Sequence, residues 1–149
     1  ELQSFMQYKG AKAVDASALL MPLVKFISPL DPRWRSTLKL INEQLGEDSL
    51  VYRYNVLQGA GTGFPGREGT FSMCSFWNVE CLAREGDLRQ ARFNFEKALG
   101  YANHVGLYSE ELGLEGEQLG NFPQAFTHLA LISAAYWMDH VLDEENRQR

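Results

Sequence analysis

Five helical segments alternate between two kinds of apolar patterning, and that order constrains the fold more than any other feature of the chain. Segments 14–28, 69–84 and 123–142 are apolar on nearly every side. Segments 32–45 and 88–102 each carry one stripe, Trp34, Leu38, Ile41 and Leu45 in the first and Leu88, Ala91, Phe95, Ala98 and Ala102 in the second. A helix that is apolar all round needs neighbours on every side, whereas a striped one needs them on one side only. Buried and half-buried helices in strict alternation predict an all-α fold in two layers, with inner helices enclosed by outer ones. Asp31 followed by Pro32, and Asp87 with Gln90 three residues on, predict where the two striped helices begin. Leu50-Val-Tyr-Arg-Tyr54 is the one strand candidate, and it is short.

The chain of 149 residues is long enough for one domain with a sizeable core. A composition 45% hydrophobic and 22% charged is that of a globular protein. The net charge of −5 argues against nucleic acid as a partner, because phosphate binding needs a basic surface. No apolar run has the length of a membrane span, so no membrane partner is expected. The first residues lack the basic and apolar regions of a signal peptide, and the chain opens without Met, as a piece of something longer would. Cys74 and Cys81 in one helix would stand roughly 10 Å apart, too far for a disulfide. Reduced, buried thiols predict a cytoplasmic protein. No Cys/His spacing resembles a metal site, and no phosphate-binding loop occurs, so no metal or cofactor is expected.

If successive helices run antiparallel, the inner helices all point one way, and the segments before them (1–13, 46–68 and 103–122) share one rim. These are the longest non-helical stretches and hold most of the glycines, including the run Gly59 to Gly66. Loops of that length in a compact domain are often functional. The segment 106–122 packs Glu110, Glu111, Glu115 and Glu117 into a glycine-punctuated loop at the mouth of the most apolar helix. There, fixed dipoles and low solvent access can tune a carboxylate for proton transfer. The rim also offers Glu68 with Arg53 as a charged pair, and Gln7, Tyr8, Tyr52 and Tyr54 as polar and aromatic groups. Acids and an arginine among aromatic rings suit sugar recognition. Trp77, Phe126 and His128 lie on apolar helices and read as core.

The runs Glu68-Gly-Thr-Phe-Ser-Met-Cys-Ser-Phe-Trp77, Ser109-Glu-Glu111 and Gly116-Glu-Gln-Leu-Gly-Asn-Phe-Pro-Gln-Ala-Phe-Thr-His-Leu-Ala-Leu-Ile132 closely resemble glycoside hydrolase family 15. Ser4-Phe-Met-Gln-Tyr8, Asp15-Ala-Ser-Ala-Leu-Leu20 and Leu50-Val-Tyr-Arg-Tyr54 extend the resemblance over essentially the whole chain. The family includes glucoamylases and related trehalases. The resemblance implies an (α/α)6 barrel and hydrolysis of α-glucosidic bonds with inversion, with a glucoamylase-like reading first and a trehalase as the alternative. It implies Glu110 as the general base, and Arg53 as the residue holding the sugar in the subsite being cleaved. Glu68, Tyr8, Glu111 and Phe126 join the substrate-binding set. Phe126 falls where fungal glucoamylases have tryptophan, and Glu111 where they have glutamine.

Inverting hydrolysis needs a second carboxyl group roughly 6.5–9.5 Å from the base to protonate the leaving oxygen. In this family that acid lies upstream of all the matching segments, and five helices are too few for six hairpins. Residues 1–149 are therefore expected to be the C-terminal portion of one catalytic domain, inactive alone, with an α-linked glucose saccharide as ligand. The upstream half of the barrel, or self-association through uncovered inner helices, is the expected protein partner. A rival reading takes Leu82 to Leu99 as a tetratricopeptide-like hairpin in a peptide-binding scaffold. No 34-residue period recurs to support it.

Overall fold

The computed structural model describes residues 4–54, 68–113 and 115–148. The glycine run 59–66 lies outside the described residues.

A 3₁₀ turn, Ala16–Leu19, leads into a single α-turn, α1 (Leu20–Leu23). Helix α2 (Pro32–Leu45) follows, then the hairpin β1 (Gly46–Glu47) and β2 (Leu50–Val51). Strand β3 (Thr70–Phe71) runs directly into α3 (Ser72–Glu85), and a short turn connects α3 to α4 (Leu88–Leu99). Strands β4 (Glu111–Leu112) and β5 (Gln118–Leu119) precede the long α5 (Ala125–Gln148). Strand β4 lies between β3 and β5, antiparallel to both, with Phe71 opposite Glu111 and Glu111 opposite Leu119.

Both expected caps form. Asp31 accepts the N–H of Arg33 at 2.9 Å with Pro32 in the first turn, and Asp87 accepts the N–H of Gln90 at 3.1 Å. The Gln90 side chain does not reach back to complete a capping box; it donates to Asn94 instead. Gly86 ends α3 in the left-handed region, at φ +100, where a side chain would be strained.

Helix α3 is buried along its length, with polar residues among the apolar ones. Cys74, Phe76, Val79, Cys81, Leu82 and Ala83 are in the core. Buried Asn78 exchanges amide hydrogen bonds with Asn42 of α2, at 2.8 and 3.1 Å. Buried Ser75 accepts the N–H of Val51. Helices α2 and α4 bury one stripe each, as expected: Trp34, Leu38, Ile41 and Leu45 on α2, Ala91 and Ala98 on α4.

Helices α3 and α5 run parallel. Near the start of α3 and α5, Ser72 and Thr127 both bond to the segment 109–110, through Ser72 N–H to the Glu110 carbonyl and Thr127 Oγ1 to the Ser109 carbonyl. Further along, Ser133 Oγ donates to Glu80, and beyond that the Arg84 guanidinium sits 3.7 Å from the Trp137 ring centroid. The two helices therefore stay in step from the β-sheet end onward. Cys81 of α3 bonds the Leu19 carbonyl at 3.2 Å, fixing the end of the 3₁₀ turn against the same helix.

Two expectations need correction. The segment 14–28 is not one long inner helix. Pro22 would drive its ring into the carbonyl of Ala18, which prevents a continuous α-helix and leaves the 3₁₀ turn before it. Lys25 at φ +61 then turns the chain away. Helix α5 is apolar all round in sequence but not covered all round: Phe126, Leu129, Ile132 and Tyr136 are between 61% and 67% exposed. Spaced by three and four residues, they form one uncovered stripe. On α3 no large apolar residue is exposed, so the uncovered surface is narrower than the sequence suggests. Strands β1, β3, β4 and β5 were not legible, being only two residues each.

Candidate active site

The three-stranded sheet and the starts of α3 and α5 lie at one end of the molecule, and Glu110, Glu111, Glu68 and Arg53 lie there. Glu110 and Glu111 are consecutive at the start of β4, so their side chains leave the strand in opposite directions.

Glu110 faces the turn after β5. Its Oε2 accepts the backbone N–H of Asn121 at 3.1 Å and the Asn121 side-chain amide at 2.9 Å. Its own backbone N–H donates to the Asn121 carbonyl, and its carbonyl accepts the N–H of Ser72. Gly120, at φ +71, lets the chain turn beneath it; a Cβ there would come within 2.8 Å of Glu110 Oε2. The residue that the resemblance suggests as general base is thus fixed at both backbone and side chain.

Glu111 faces the other way, and its Oε2 accepts the N–H of Gly69 at 2.8 Å. Burial pushes its pKa up from the ordinary glutamate value. The Gly69 N–H pulls it down, the charges of Glu68 and Glu110 push it up, and Arg53 pulls it down. Glu68, Glu110 and Arg53 therefore each lie within electrostatic reach of Glu111.

Arg53 and Glu68 form the expected pair, Nη2 to Oε1 at 2.6 Å. The Tyr54 hydroxyl donates to the same Glu68 oxygen at 2.7 Å and accepts from Arg53 Nη2 at 3.1 Å. The guanidinium also lies 4.4 Å from the Phe71 ring centroid and 4.9 Å from that of Tyr54. Burial opposes the charge on Arg53, but Tyr54 and Glu68 outweigh it and raise its pKa. Arg53 Nε is buried with no hydrogen-bond partner among the described residues.

The N-terminal loop reaches this end through Gln7, whose side chain donates to Asp15 Oδ2 at 3.3 Å, while Asp15 bridges Tyr54. Tyr8 follows in that loop and is exposed. Phe126, which its apolar helix places in the core and the resemblance places in the sugar site, stands exposed on the first turn of α5, at the same end as Glu110. Tyr52 turns away and donates to Glu47 of the β1–β2 hairpin. Glu117 closes its own turn by accepting the N–H of Glu115. His128 is a hydrogen-bonded, half-buried residue, bonded to the Gln124 carbonyl. Burial pushes the Cys74 thiol up to about 12, with Asp15 acting in the same direction and Arg53 against it; both cysteines are free.

Asn121, Tyr54 and Gly69 hold the charged groups in place. Tyr54 is a candidate donor from sequence, but Asn121 and Gly69 carry no signal of their own there. A cavity of about 480 Å³ lies near the far end of α3, lined by Arg84, Trp137 and His140 among others. Its arginine is already engaged by Glu80 and Trp137, and none of the rim carboxylates lines it.

The family model for Glycosyl hydrolases family 15 matches residues 1–92 and 86–136. The chain is 46% identical over 142 residues to a trehalase of Mycobacterium tuberculosis, covering 95% of this chain and 20% of that protein. It is 42% identical over 136 residues to a trehalase of Thermoplasma acidophilum, covering 91% of this chain and 23% of the relative. Among solved structures, one described as "Glycosidase Wild Type" superposes with a TM-score of 0.74 at 19% identity. It covers 92% of this chain and 39% of that one, and supports the fold alone. The chain spans about a fifth of the length of the curated relatives it matches.

Proposed function

The chain belongs to glycosyl hydrolases family 15, and from that premise we propose that it supplies the general base and part of the sugar site of an inverting α-glucosidase. The observation that carries this reading is the placement of Glu110, fixed by Asn121 at the same end as the Arg53–Glu68 pair. A carboxylate held through one oxygen by two donors keeps a defined direction for taking a proton. Glu110 accepts a proton from water as the water oxygen attacks the anomeric carbon. The glycosidic C–O bond breaks, and its electron pair goes to the leaving oxygen, which a second carboxylic acid protonates. That acid comes from a part of the protein outside these residues. Arg53 and the aromatic groups Tyr8 and Phe126 hold the glucose unit.

Trehalose is the substrate this reading favours, ahead of the maltooligosaccharides first suggested by sequence. The relatives at 40–46% identity supporting it are named as trehalases. The hairpin of α3 and α4 does form, but α3 packs chiefly on α5, so a tetratricopeptide scaffold gains no support. The uncovered stripe on α5 is where further helices of an (α/α)6 barrel would pack.

Glucose release by the protein carrying this chain tests the proposal. Trehalose should be cleaved in preference to maltose, the attacked unit leaving as β-glucose and the other as α-glucose; a preference for maltose would restore the glucoamylase reading. Prepared alone, the 149-residue chain should release no glucose from either sugar.

A further inference from the structure

Glu111 is adjacent to the proposed base and is also an acid, yet its surroundings assign it different work. Its Oε2 accepts the N–H of Gly69 at 2.8 Å. On its other side Gly69 is pressed against the backbone of β4, where a Cβ would overlap the carbonyl oxygen of Leu112. Gly69 is therefore gripped twice by the strand that carries Glu110, once by the Glu111 carboxylate and once by close backbone contact. The residue before it is Glu68, whose Oε1 takes hydrogen bonds from Arg53 Nη2 and the Tyr54 hydroxyl. A continuous path runs from Glu111 through the Gly69 amide to Glu68 and the Arg53 guanidinium.

We propose that Glu111 is a positioning residue, whose carboxylate clamps the Gly69 amide and so fixes the Glu68–Arg53 arm relative to Glu110. What the clamp needs is an acceptor oxygen, not a proton-accepting base. Glutamine at 111 keeps that acceptor, whereas alanine removes it. The inference that this arm touches sugar rests on the function proposed above; the clamp itself does not.

The test compares Glu111→Ala and Glu111→Gln in the protein carrying this chain, with amide hydrogen exchange read at Gly69. In Glu111→Ala, exchange at Gly69 should quicken by roughly tenfold or more as the amide loses its acceptor. KM for trehalose should rise by about the same factor while kcat changes far less, because the arm acts on binding. Glu111→Gln should retain Gly69 protection and restore KM. Unchanged Gly69 exchange in Glu111→Ala overturns the clamp. So does a collapse of kcat in Glu111→Gln with Gly69 still protected, which would put Glu111 in the proton transfer itself. If Glu111→Ala fails to fold, Glu111→Gln decides alone, since loss of Gly69 protection there contradicts the proposal. The exchange measurement stands even if the protein cleaves neither sugar, so failure of the clamp and failure of the proposed function are distinguishable.

Discussion

Asn121 bonds Glu110 twice through the same oxygen, by its backbone N–H at 3.1 Å and its side-chain amide at 2.9 Å, so that Oε1 takes neither bond. One oxygen anchors, and in the proposed mechanism the other activates water. Removing the side-chain donor leaves the backbone bond but frees the carboxylate to rotate. Asn121→Ala should lower kcat for trehalose by about 10- to 100-fold, the range for misplacing a reacting group by about an ångström. Steady-state kinetics check this, and an unchanged kcat would show that the anchor is dispensable.

Glu111 gives a stability signature with a definite sign. Burial raises its folded pKa above the ordinary 4.5, so the folded state holds the proton more tightly than the unfolded state. Well below that ordinary value both states are protonated and no cost arises. As pH rises through it and then through the raised folded value, the unfolded state releases its proton first, and folding loses stability. Glu111→Gln carries no such charge. Urea midpoints at about pH 4 and about pH 7 should therefore show the wild type losing ground to Glu111→Gln as pH rises; the opposite trend would contradict the burial argument.

Glu80 is 1% exposed and lies between α3 and α5, with Arg84 on one oxygen and Ser133 on the other. Arg84→Ala would leave this carboxylate buried beside Ser133 alone and strip the cation from Trp137. Breaking a buried pair from one side costs about 3–5 kcal/mol. Joint replacement of the pair, as Glu80→Gln with Arg84→Met, should cost less. Urea unfolding of both variants measures the difference, and equal losses would indicate that packing, not charge, matters there.

The stripe of Phe126, Leu129, Ile132 and Tyr136 predicts how the 149-residue chain behaves when prepared alone. Each such side chain, once fully covered, contributes roughly 1.5–3 kcal/mol. Light scattering should find the chain associating through this face, and Leu129→Glu with Ile132→Lys should shift it towards the 16.9 kDa monomer. A clean monomer without those substitutions would contradict the expectation.

The striped helices and their caps were legible because local chemistry alone decides them: Asp31 with Pro32, and Asp87 before Leu88. The juxtaposition of Arg53, Glu68, Glu110 and Glu111 followed from placing three loops on one rim. What could not be read were features set by distant contacts. Strand β4 exists because Thr70 and Phe71 pair with Leu112 and Glu111, far along the chain, and two-residue strands leave no periodicity to detect. Pro22 breaks a helix that the apolar residues on either side of it would otherwise continue. Phe126 read as core because apolarity says nothing of whether a neighbour is there to cover it. Asn121 gives no signal in sequence because its role depends on a turn that brings it back over Glu110.

Whether Glu110 or its neighbour is the general base is decided by trehalose hydrolysis and binding in Glu110→Gln and Glu111→Gln, each made in the protein carrying this chain. Glu110→Gln should reduce kcat by about three orders of magnitude or more, as expected for loss of a general base, with trehalose binding by calorimetry nearly unchanged. Glu111→Gln should stay within about tenfold of the wild type. If Glu110→Gln keeps its turnover while Glu111→Gln loses it, the base is Glu111 and the assignment of Glu110 is wrong.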